Sequence, residues 1–380
     1  MSSMLKALKK NSTIEGASAL NESTFFDQEH VLLDIPIMNL AFTGSLRRGL
    51  LPGLTMFAGP SKHGKSVLSN VCAKAYMEKY PDAIMLFYDS EFGTPESYFT
   101  SLDIDTSRIL HMPLLNIQQL KFDIVKQLDM IKKEYPGAKV FIYVDSFGNI
   151  ASKKEAEDAL EGKDKTDMTR AKDLKSLTRI VTPYLRLMNI PMIGVSHSYQ
   201  TLEIYSKAVM SGGTGLMYSA DNVFIMGRQQ EKEGKDIVGF NLIMNVEKSR
   251  YCKEKAKFPI EMRFDGGMNK YTGMLEVGMN VGFVVKPSNG WYSRVLNGVQ
   301  EDRKWRAKDT NCTEFWGPLF DDESFHVAVE TEYQVSSGKL IHEEVDESES
   351  MLDNDGILDS DFEDEYNSDD ELLEFEKNNQ

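Results

Sequence analysis

Residues 59–66 read Gly59-Pro60-Ser61-Lys62-His63-Gly64-Lys65-Ser66, and they set the expectation for the rest of the chain. This octapeptide satisfies the GxxxxGK[ST] pattern of a phosphate-binding loop. An apolar run from Leu54 to Ala58 leads into it, and the helix-like segment from Lys65 to Tyr80 ends at Pro81. A strand before the loop and a helix after it are the context that this motif requires. The sequence therefore predicts a nucleotide site built on a phosphate loop.

The residue types of this loop suit the binding of ATP with Mg²⁺. Backbone N–H groups of a glycine-rich turn at the start of a helix point at phosphates, so every residue from Gly59 to Ser66 is a candidate cofactor-binding residue. Lys65 is placed to neutralise the β and γ oxygens, and the Ser66 hydroxyl is placed to ligate Mg²⁺. We expect ATP and Mg²⁺ as cofactors.

Two further strands end in carboxylates. The apolar run Val140–Val144 is followed by Asp145, the expected second half of such a site, which holds the Mg²⁺ shell. Hydrolysis also needs a group that orients or deprotonates water, and the run ending at Tyr88 is followed by Asp89 and Glu91. Alternation along a strand would place both carboxylates on one side, so position alone leaves both as candidates.

Strand-like and helix-like segments alternate along the middle of the chain. Short apolar runs of the kind buried on both faces of a sheet are separated by longer amphipathic segments. This order predicts an α/β fold with a mostly parallel central sheet and helices on both sides. The remaining predicted strands are Ile84–Tyr88, Met192–Val195, Val223–Met226 and Leu242–Val246, and the remaining predicted helices are Ile117–Tyr135 and Thr169–Met188.

The ends of the chain differ from this middle part in composition. Residues 1–33 are predicted to be a short helical and linker element, and residues 34–273 the ATPase core. Residues 274–335 are predicted to be a small C-terminal domain with a tryptophan-rich surface formed by Trp291, Trp305 and Trp316. Residues 336–380 contain too little apolar sequence to fold alone and are predicted to be a disordered acidic tail.

The net charge of −16 does not exclude nucleic acid as a partner. Residues 343–380 hold 17 of the 59 acidic and one of the 43 basic residues, so residues 1–342 hold 42 of each. The acidic balance therefore describes the tail and not the folded surface. Three cysteines without CxxC spacing support neither a disulfide framework nor a zinc site, and no apolar run of 18 residues is present. A cytoplasmic protein without a membrane partner is expected.

The order of these motifs resembles the RecA recombinase family. It is a phosphate loop, a Tyr-Asp-Ser-Glu segment, a Val-Asp-Ser strand end and a strand leading into a glycine-rich loop. A closer resemblance is to the UvsX recombinases of T4-like bacteriophages, and it extends over roughly residues 20–320. The matching segments are Phe87–Gly93, Ala151–Glu155, Met210–Gly215 and Trp305–Thr313.

The resemblance implies roles within one subunit that spacing alone could not give. Glu91, rather than Asp89, corresponds to the catalytic glutamate, and Tyr98 corresponds to an aromatic residue that stacks on adenine. His197 stands where RecA proteins carry a glutamine that senses the γ-phosphate. A neutral imidazole can donate one hydrogen bond to the phosphate, and only in the right tautomer, so this departure predicts a different pH dependence of the coupling between ATP and the following loop.

Other implied roles concern the contact between neighbouring subunits. Lys248 and Arg250 correspond to two basic residues that reach the ATP of the next subunit, which makes them catalytic residues supplied in trans. Phe25-Phe26 resembles an N-terminal aromatic element that docks on the adjacent protomer. Hydrolysis would then depend on assembly.

The two long stretches without a clear strand pattern, residues 152–168 and 199–219, correspond to the two DNA-binding loops of the family. Single-stranded DNA binding without sequence preference uses cations, backbone amides and stacking groups. Acidic residues interleave with the lysines of the first stretch, so a solvated charged helix is the alternative interpretation there. The candidate DNA-binding residues are Lys153, Lys154, Tyr199, Tyr205, Lys207, Gly212 and Gly213.

By this resemblance the chain is expected to be a DNA-dependent ATPase that forms helical filaments on single-stranded DNA and exchanges strands with homologous duplex DNA. The expected context is recombination, repair and recombination-dependent replication in the host cytoplasm, with a single-strand-binding protein and a recombination mediator as partners. Two alternatives remain at this stage: a hexameric helicase or loader with the same core, and a scaffold that binds DNA and uses ATP only as a structural ligand.

Overall fold

The computed structural model describes residues 2–14, 16–23, 28–163, 169–201 and 207–335. Its helices are α1 (Ser3–Asn11), α2 (Pro36–Thr43), α3 (Lys65–Lys79), α4 (Glu96–Thr100), α5 (Ile117–Glu134), α6 (Lys153–Leu160), α7 (Thr169–Leu187), α8 (Thr214–Ser219), α9 (Met274–Asn280), α10 (Thr313–Phe320) and α11 (Glu323–Tyr333).

The strands begin with those that carry the predicted site. They are β1 (Gly53–Ala58), β2 (Ile84–Asp89), β3 (Ile109–Pro113), β4 (Val140–Asp145), β5 (Pro191–Ser196), β6 (Ser198–Gln200), β7 (Ala208–Met210), β8 (Asn222–Glu233), β9 (Asp236–Ser249), β10 (Lys257–Arg263), β11 (Gly267–Met268), β12 (Val284–Ser288), β13 (Trp291–Leu296), β14 (Val299–Gln300) and β15 (Trp305–Arg306).

Nine of these strands form the central sheet, in the order β11-β10-β9-β8-β1-β5-β4-β2-β3. The neighbours from β8 through β3 pair in parallel, whereas β9, β10 and β11 add as antiparallel strands. The predicted α/β class with a mostly parallel sheet is confirmed. Since the parallel strands end on one edge, the loops that follow β1, β2, β4 and β5 meet there.

Alternate side chains of the sheet enter two hydrophobic clusters, one on each face. Phe57, Phe87 and Phe141 belong to the cluster that includes α3, and their neighbours Met56 and Leu86 belong to the cluster that includes α5 and α7. This alternation explains why the central strands read as continuous apolar runs, because both faces are covered by helices.

The structure extends β8 and β9 well beyond the predicted runs. Val223–Met226 was expected as a strand, but β8 has 12 residues and its antiparallel partner β9 has 14. Only the first part of β8 is buried; from Gly227 onward its side chains are partly or fully exposed. The apolar pattern therefore marked only the buried half, and backbone pairing with β9 continues the strand into polar sequence.

Residues 274–333 pack against the first hydrophobic cluster. Trp305 is 5% exposed and Trp316 is fully buried, whereas Trp291 is half-buried. The expected tryptophan-rich surface is therefore wrong, because two of its three indoles are core residues. Phe315 and Phe325 belong to the same cluster as residues of the sheet. A separate C-terminal domain beginning at residue 274 stays a prediction.

The amino-terminal part contains α1, a helix with no buried residue. From residue 28 onward the linker is fastened to the core, since Glu29 accepts from the hydroxyl of Tyr80 at 2.7 Å and from Lys139 at 2.6 Å. Phe25-Phe26 and the acidic tail 336–380 lie outside the described residues. Among the helices described, none combines the length and apolar character needed to cross a membrane.

Candidate functional site

The phosphate loop connects β1 to α3, as the sequence predicts. Gly64 precedes α3 with φ of 79°, and a Cβ at this position would lie 2.4 Å from Cδ1 of Leu242. Lys62 also has a positive φ, of 62°. Glycine is required at position 64 for both reasons, because a side chain there would strain the backbone and collide with β9.

Lys65 lies over the phosphate loop. Its Nζ donates to the carbonyl oxygens of Gly59 at 2.9 Å and Pro60 at 2.8 Å. Burial lowers the pKa of Lys65, and the negative charges of Glu91 and Asp145 oppose that effect. The ammonium is thus held by two carbonyls that phosphate oxygens can replace.

An arginine that the sequence analysis did not single out braces the loop from β8. Nη1 of Arg228 donates to the carbonyl oxygen of Lys62 at 2.8 Å, and its guanidinium lies 4.4 Å from the ring centre of Phe240. It lies in the exposed half of β8, where no apolar pattern pointed to a strand. Arg228 therefore stabilises the positive-φ residue of the loop.

Asp145 and Ser66 lie side by side, as expected for a magnesium site. Oδ2 of Asp145 accepts from the hydroxyls of Ser66 at 2.9 Å, Tyr143 at 2.8 Å and Thr94 at 3.2 Å. Asp145 is buried, and burial raises its pKa, with the nearby charge of Glu91 adding to the effect. Since burial and Glu91 make the charged form of Asp145 unfavourable, a cation bound beside it would stabilise that form.

The donor set fits Mg²⁺ bound together with phosphates. Ser66 and Asp145 offer hard oxygen atoms and no sulfur or nitrogen, which is the preference of this ion. Among the described residues there is no cluster of three or more His, Cys, Asp or Glu side chains that could hold a metal alone. The protein part of the site therefore suits an ion whose other ligands are water and nucleotide oxygens.

Glu91 reaches across the ends of the two neighbouring strands. Its Oε1 accepts from the amide of Asn149 at 3.0 Å and from the hydroxyl of Ser146, and it lies 3.2 Å from Nε2 of His197. The side chain is 30% exposed, so it remains open to solvent water. Ser146 and Asn149 were missed by the sequence analysis, although polar residues directly after β4 were a usable signal.

Asp89 is oriented differently from Glu91. It is 3% exposed, and its Oδ1 accepts from the backbone N–H groups of Glu91 at 3.0 Å and Phe92 at 2.8 Å. Strand β2 ends at Asp89, so the alternation that would place residues 89 and 91 on one side does not extend to Glu91. The geometry favours Glu91 as the group that meets water.

His197 connects Glu91 to the predicted second DNA loop. Its carbonyl oxygen accepts from the N–H of Ser211 at 2.8 Å, and Ser196 and Ser211 hydroxyls lie 2.9 Å apart. A Cβ on Gly148 would lie 2.7 Å from Cδ2 of His197, so this glycine allows the imidazole to approach the β4 end. The side chain of His197 thus touches Glu91, while its backbone holds the base of the predicted loop.

Arg250 lies at the opposite edge of the sheet from the phosphate loop of its own chain. Its Nε lies 2.8 Å from Oδ1 of Asp221, which also pairs with Nη2 of Arg186 at 2.5 Å. Oδ2 of Asp221 accepts from the N–H of Leu54, near the start of β1, at 3.0 Å. The phosphate loop follows the other end of this six-residue strand, about 20 Å away.

Lys248 is half-buried rather than fully solvated. Burial lowers its pKa, and the charge of Arg250 adds to the effect. Its Nζ donates to the carbonyl oxygens at the end of α8, those of Met217, Tyr218 and Ala220, at 3.1, 2.7 and 2.8 Å.

The first predicted DNA loop begins with a helix. Ser152 and Glu155 form a reciprocal capping box at the start of α6, which explains why this charged stretch is helical over residues 153–160. Lys153 and Lys154 are exposed on its first turn, and Nζ of Lys153 lies 3.6 Å from Glu157. The charged helix weighed as an alternative is thus present in residues 153–160, while residues 164–168 lie outside the described part.

The second predicted loop contains the hairpin β6–β7 and helix α8. Tyr199 is 56% exposed on β6, and Lys207 is exposed before β7, whereas Tyr205 lies outside the described residues. Gly212 and Gly213 have φ of 110° and 81°, which only glycine adopts without strain. These glycines permit the turn between the hairpin and α8.

A cavity of about 440 Å³ lies beside these glycines and was not predicted. Helix α7 contributes Lys172 and Lys175 to its wall, opposite the segment from Gly212 to Gly215. A Cβ on Gly215 would lie 2.8 Å from Cβ of Lys175, so the two elements are in close contact. Helical periodicity alone could not show that these lysines face the second loop.

Tyr98 lies on α4 and is 48% exposed. An exposed ring can stack on a base. Stacking of Tyr98 on adenine stays a prediction.

Comparison with known proteins gives consistent relationships. The family described as "Bacteriophage T4, Recombination and repair protein, C-terminal domain" matches residues 271–329. The chain is 48% identical over 357 residues to the recombination and repair protein of Enterobacteria phage T4, covering 91% of this chain and 90% of that protein. It is 23% identical over 265 residues to protein RecA of a Nocardioides species, covering 68% and 72%. It is 26% identical over 239 residues to protein RecA of Mesomycoplasma hyopneumoniae, covering 62% and 67%.

Proposed function

Because the chain belongs to the family of the phage T4 recombination and repair protein, a branch of the RecA recombinases, we propose that it forms ATP-dependent filaments on single-stranded DNA and exchanges strands with homologous duplex DNA. The membership itself makes it a recombination and repair protein. We further propose that it hydrolyses ATP in a DNA-dependent manner and that the site residues described above carry out this reaction.

The observation that carries the proposal is the convergence of four strand ends on the phosphate loop. Ser66 follows β1 and contacts Asp145 of β4 at 2.9 Å. Glu91 follows β2 and lies 3.2 Å from His197, which follows β5. A cation-binding pair thus lies next to a carboxylate that is partly open to water, which is the arrangement that phosphoryl transfer to water requires.

Each of these groups has a distinct task in hydrolysis. Lys65 exchanges its two carbonyl partners for β and γ oxygens, and Mg²⁺, when bound, neutralises charge on the phosphates beside Ser66 and Asp145. Glu91 accepts a proton from, or orients, the attacking water. Ser146 and Asn149 hold its other contacts in place.

The position of Arg250 supports a role in the active site of a neighbouring subunit. It lies at the amino end of β1, and its own phosphate loop lies at the carboxyl end, so it cannot serve the ATP of its own chain. It is 57% exposed and therefore available to a partner. An arginine supplied by the next subunit would make hydrolysis depend on filament assembly.

DNA contacts are proposed for the surface formed by the second loop and α7. Lys172, Lys175 and the glycine-rich segment offer cations and backbone N–H groups around one cavity, which suits a phosphate backbone read without regard to sequence. The link from Glu91 through His197 to Ser211 gives the nucleotide site a direct contact with this surface. A single-strand-binding protein and a recombination mediator are proposed as further partners, in the host cytoplasm.

Electron microscopy of the full chain on single-stranded DNA with a nonhydrolysable ATP analogue tests the proposal. Helical filaments are expected with the analogue and not without nucleotide, and Lys65→Ala should form none under the same conditions. Closed rings would support a hexameric helicase instead. DNA binding that ignores ATP, in a protein without DNA-stimulated hydrolysis, would support a scaffold.

A further inference from the structure

His111 lies on the edge strand β3 and contacts the turn that carries Glu91. Its Nε2 lies 3.2 Å from Oδ2 of Asp89. A carboxylate oxygen accepts, so the contact is a hydrogen bond in the tautomer of His111 that carries its proton on Nε2. His111 is half exposed, whereas the Asp89 side chain is 4% exposed, so the histidine closes the outer side of a buried carboxylate.

The other oxygen of Asp89 holds the backbone of the catalytic turn. Oδ1 accepts from the N–H groups of Glu91 and Phe92, at 3.0 and 2.8 Å. Phe92 has φ of 55°, a conformation that few residues other than glycine adopt. A local side-chain acceptor compensates for such a backbone conformation, since it satisfies N–H groups that have left the strand ladder.

The ring of His111 also packs at the end of a row of side chains that leads to Asp145, the candidate magnesium ligand. It lies 5.2 Å from the ring of Phe87, which stacks on Tyr143 with centres 5.0 Å apart and an angle of 12°. The hydroxyl of Tyr143 donates to Asp145 at 2.8 Å. Side chains of the adjacent strands β3, β2 and β4 thus connect His111 to Asp145, in addition to its direct contact with Asp89.

We propose that Asp89 and His111 are positioning residues for hydrolysis: Asp89 sets the backbone direction from which Glu91 reaches water, and His111 holds Asp89 in the orientation that does so. This inference rests on the proposed ATPase function, and it gives Asp89 a task other than that of a base. Asp89 acts through its acceptor oxygen and not through its charge.

Substitutions separate these two modes of action. Asp89→Asn keeps an oxygen that can accept from Glu91 and Phe92 but removes the charge, whereas Asp89→Ala removes both. His111→Gln keeps an N–H donor of similar reach, whereas His111→Ala removes it. Leu110→Ala is the control for His111→Ala, because Leu110 directly precedes His111 on β3 and is 48% exposed.

The experiment measures kcat and KM for ATP of the full chain on saturating single-stranded DNA, with melting curves for every variant. We expect Asp89→Ala to lower kcat about 100-fold, as for a misplaced catalytic group, and His111→Ala to lower it about 5-fold, as for one lost hydrogen bond. KM for ATP should stay unchanged, Asp89→Asn and His111→Gln should retain most of kcat, and Leu110→Ala should match the unmodified chain.

Equal losses in Asp89→Asn and Asp89→Ala would overturn the inference, because they would make the charge the active property. Losses that follow the melting temperature, or that raise KM instead of lowering kcat, would also overturn it, since a merely structural role predicts them. An unmodified chain without DNA-stimulated hydrolysis would instead refute the proposed function, so the two failures are distinguishable.

Discussion

Replacing Arg250 by alanine should leave the isolated subunit intact and stop hydrolysis in the assembled protein. The ion pair with Asp221 is half exposed at Arg250, so its loss should cost about 0 to 1 kcal/mol of unfolding free energy. Asp221 keeps Arg186 and the N–H of Leu54 as partners, so no buried charge is left unpaired. Nucleotide binding by single subunits should therefore be normal.

The effect on catalysis should be much larger. An arginine supplied across an interface contributes on the order of 10³-fold or more to kcat, so DNA-stimulated hydrolysis should fall by about that factor. Lys255→Ala is the matched control, because Lys255 is a nearby cation in the same chain segment, is 74% exposed and pairs only with Glu247 among the described ion pairs. It should hydrolyse ATP at the normal rate.

Mixing Arg250→Ala with Lys65→Ala subunits tests whether the arginine acts in trans. A site is complete when an intact phosphate loop of the first variant faces an intact Arg250 of the second. In a random equimolar assembly of head-to-tail contacts about one site in four meets this condition, so activity should return to about a quarter of normal. Activity no greater than the sum of the two parents, with co-assembly demonstrated by labelled subunits, would refute the trans role.

The remaining predictions concern the carboxylates and the DNA surface. Glu91→Gln should bind ATP and DNA but hydrolyse ATP about 100-fold more slowly in a steady-state assay, and normal turnover would exclude Glu91 as the base. Asp145→Asn should melt at a higher temperature without nucleotide while losing hydrolysis. Because the pKa of Asp145 is raised in the folded protein, ionisation of this side chain destabilises the fold. That destabilisation is absent at pH values below the ordinary pKa of about 4 and fully present above the raised pKa, so the gain in melting temperature should vanish in acid. Replacing both Lys172 and Lys175 by alanine should weaken DNA binding and reduce its salt dependence by about one to two counterions, and unchanged salt titrations would contradict the proposed surface. A chain ending at Ile341 should bind duplex DNA more tightly than the full chain, with an advantage that shrinks as salt rises, and superimposable titrations would exclude a competing tail.

The sequence was most informative at positions where the structure allows only one residue type or one class of residues. Gly64 must be glycine for two independent reasons, and the central strands must be apolar on both faces, so the phosphate loop and the parallel sheet could be predicted from residues 54–66 and the apolar runs alone. The position of Asp145 beside Ser66 could likewise be predicted from its place at the end of an apolar run, and its role toward Mg²⁺ stays a prediction.

Contacts between segments that are distant in sequence could not be predicted in the same way. The polar half of β8 depends on its partner β9, and Arg228 gains its contact with Lys62 only through that pairing. Trp305 and Trp316 are core residues because both pack on Phe315, with ring centres 5.4 and 5.0 Å apart, which residue type alone does not reveal. Strand alternation alone could not distinguish Asp89 from Glu91, because it did not show that β2 ends at Asp89; a strand longer by two residues would have placed both on one side.

The placement of Arg250 and the phosphate loop at opposite ends of β1 would give an assembly of the proposed kind a polarity. If Arg250 completes the active site of the next subunit, as proposed, each subunit supplies its arginine in one direction and receives one from the other. A row of n subunits then contains n − 1 complete active sites and one that no neighbour completes. Turnover per subunit should therefore be lowest in short rows. The terminal subunit with the incomplete site would retain its ATP longest, which makes that end chemically distinguishable from every interior position and from the opposite terminus.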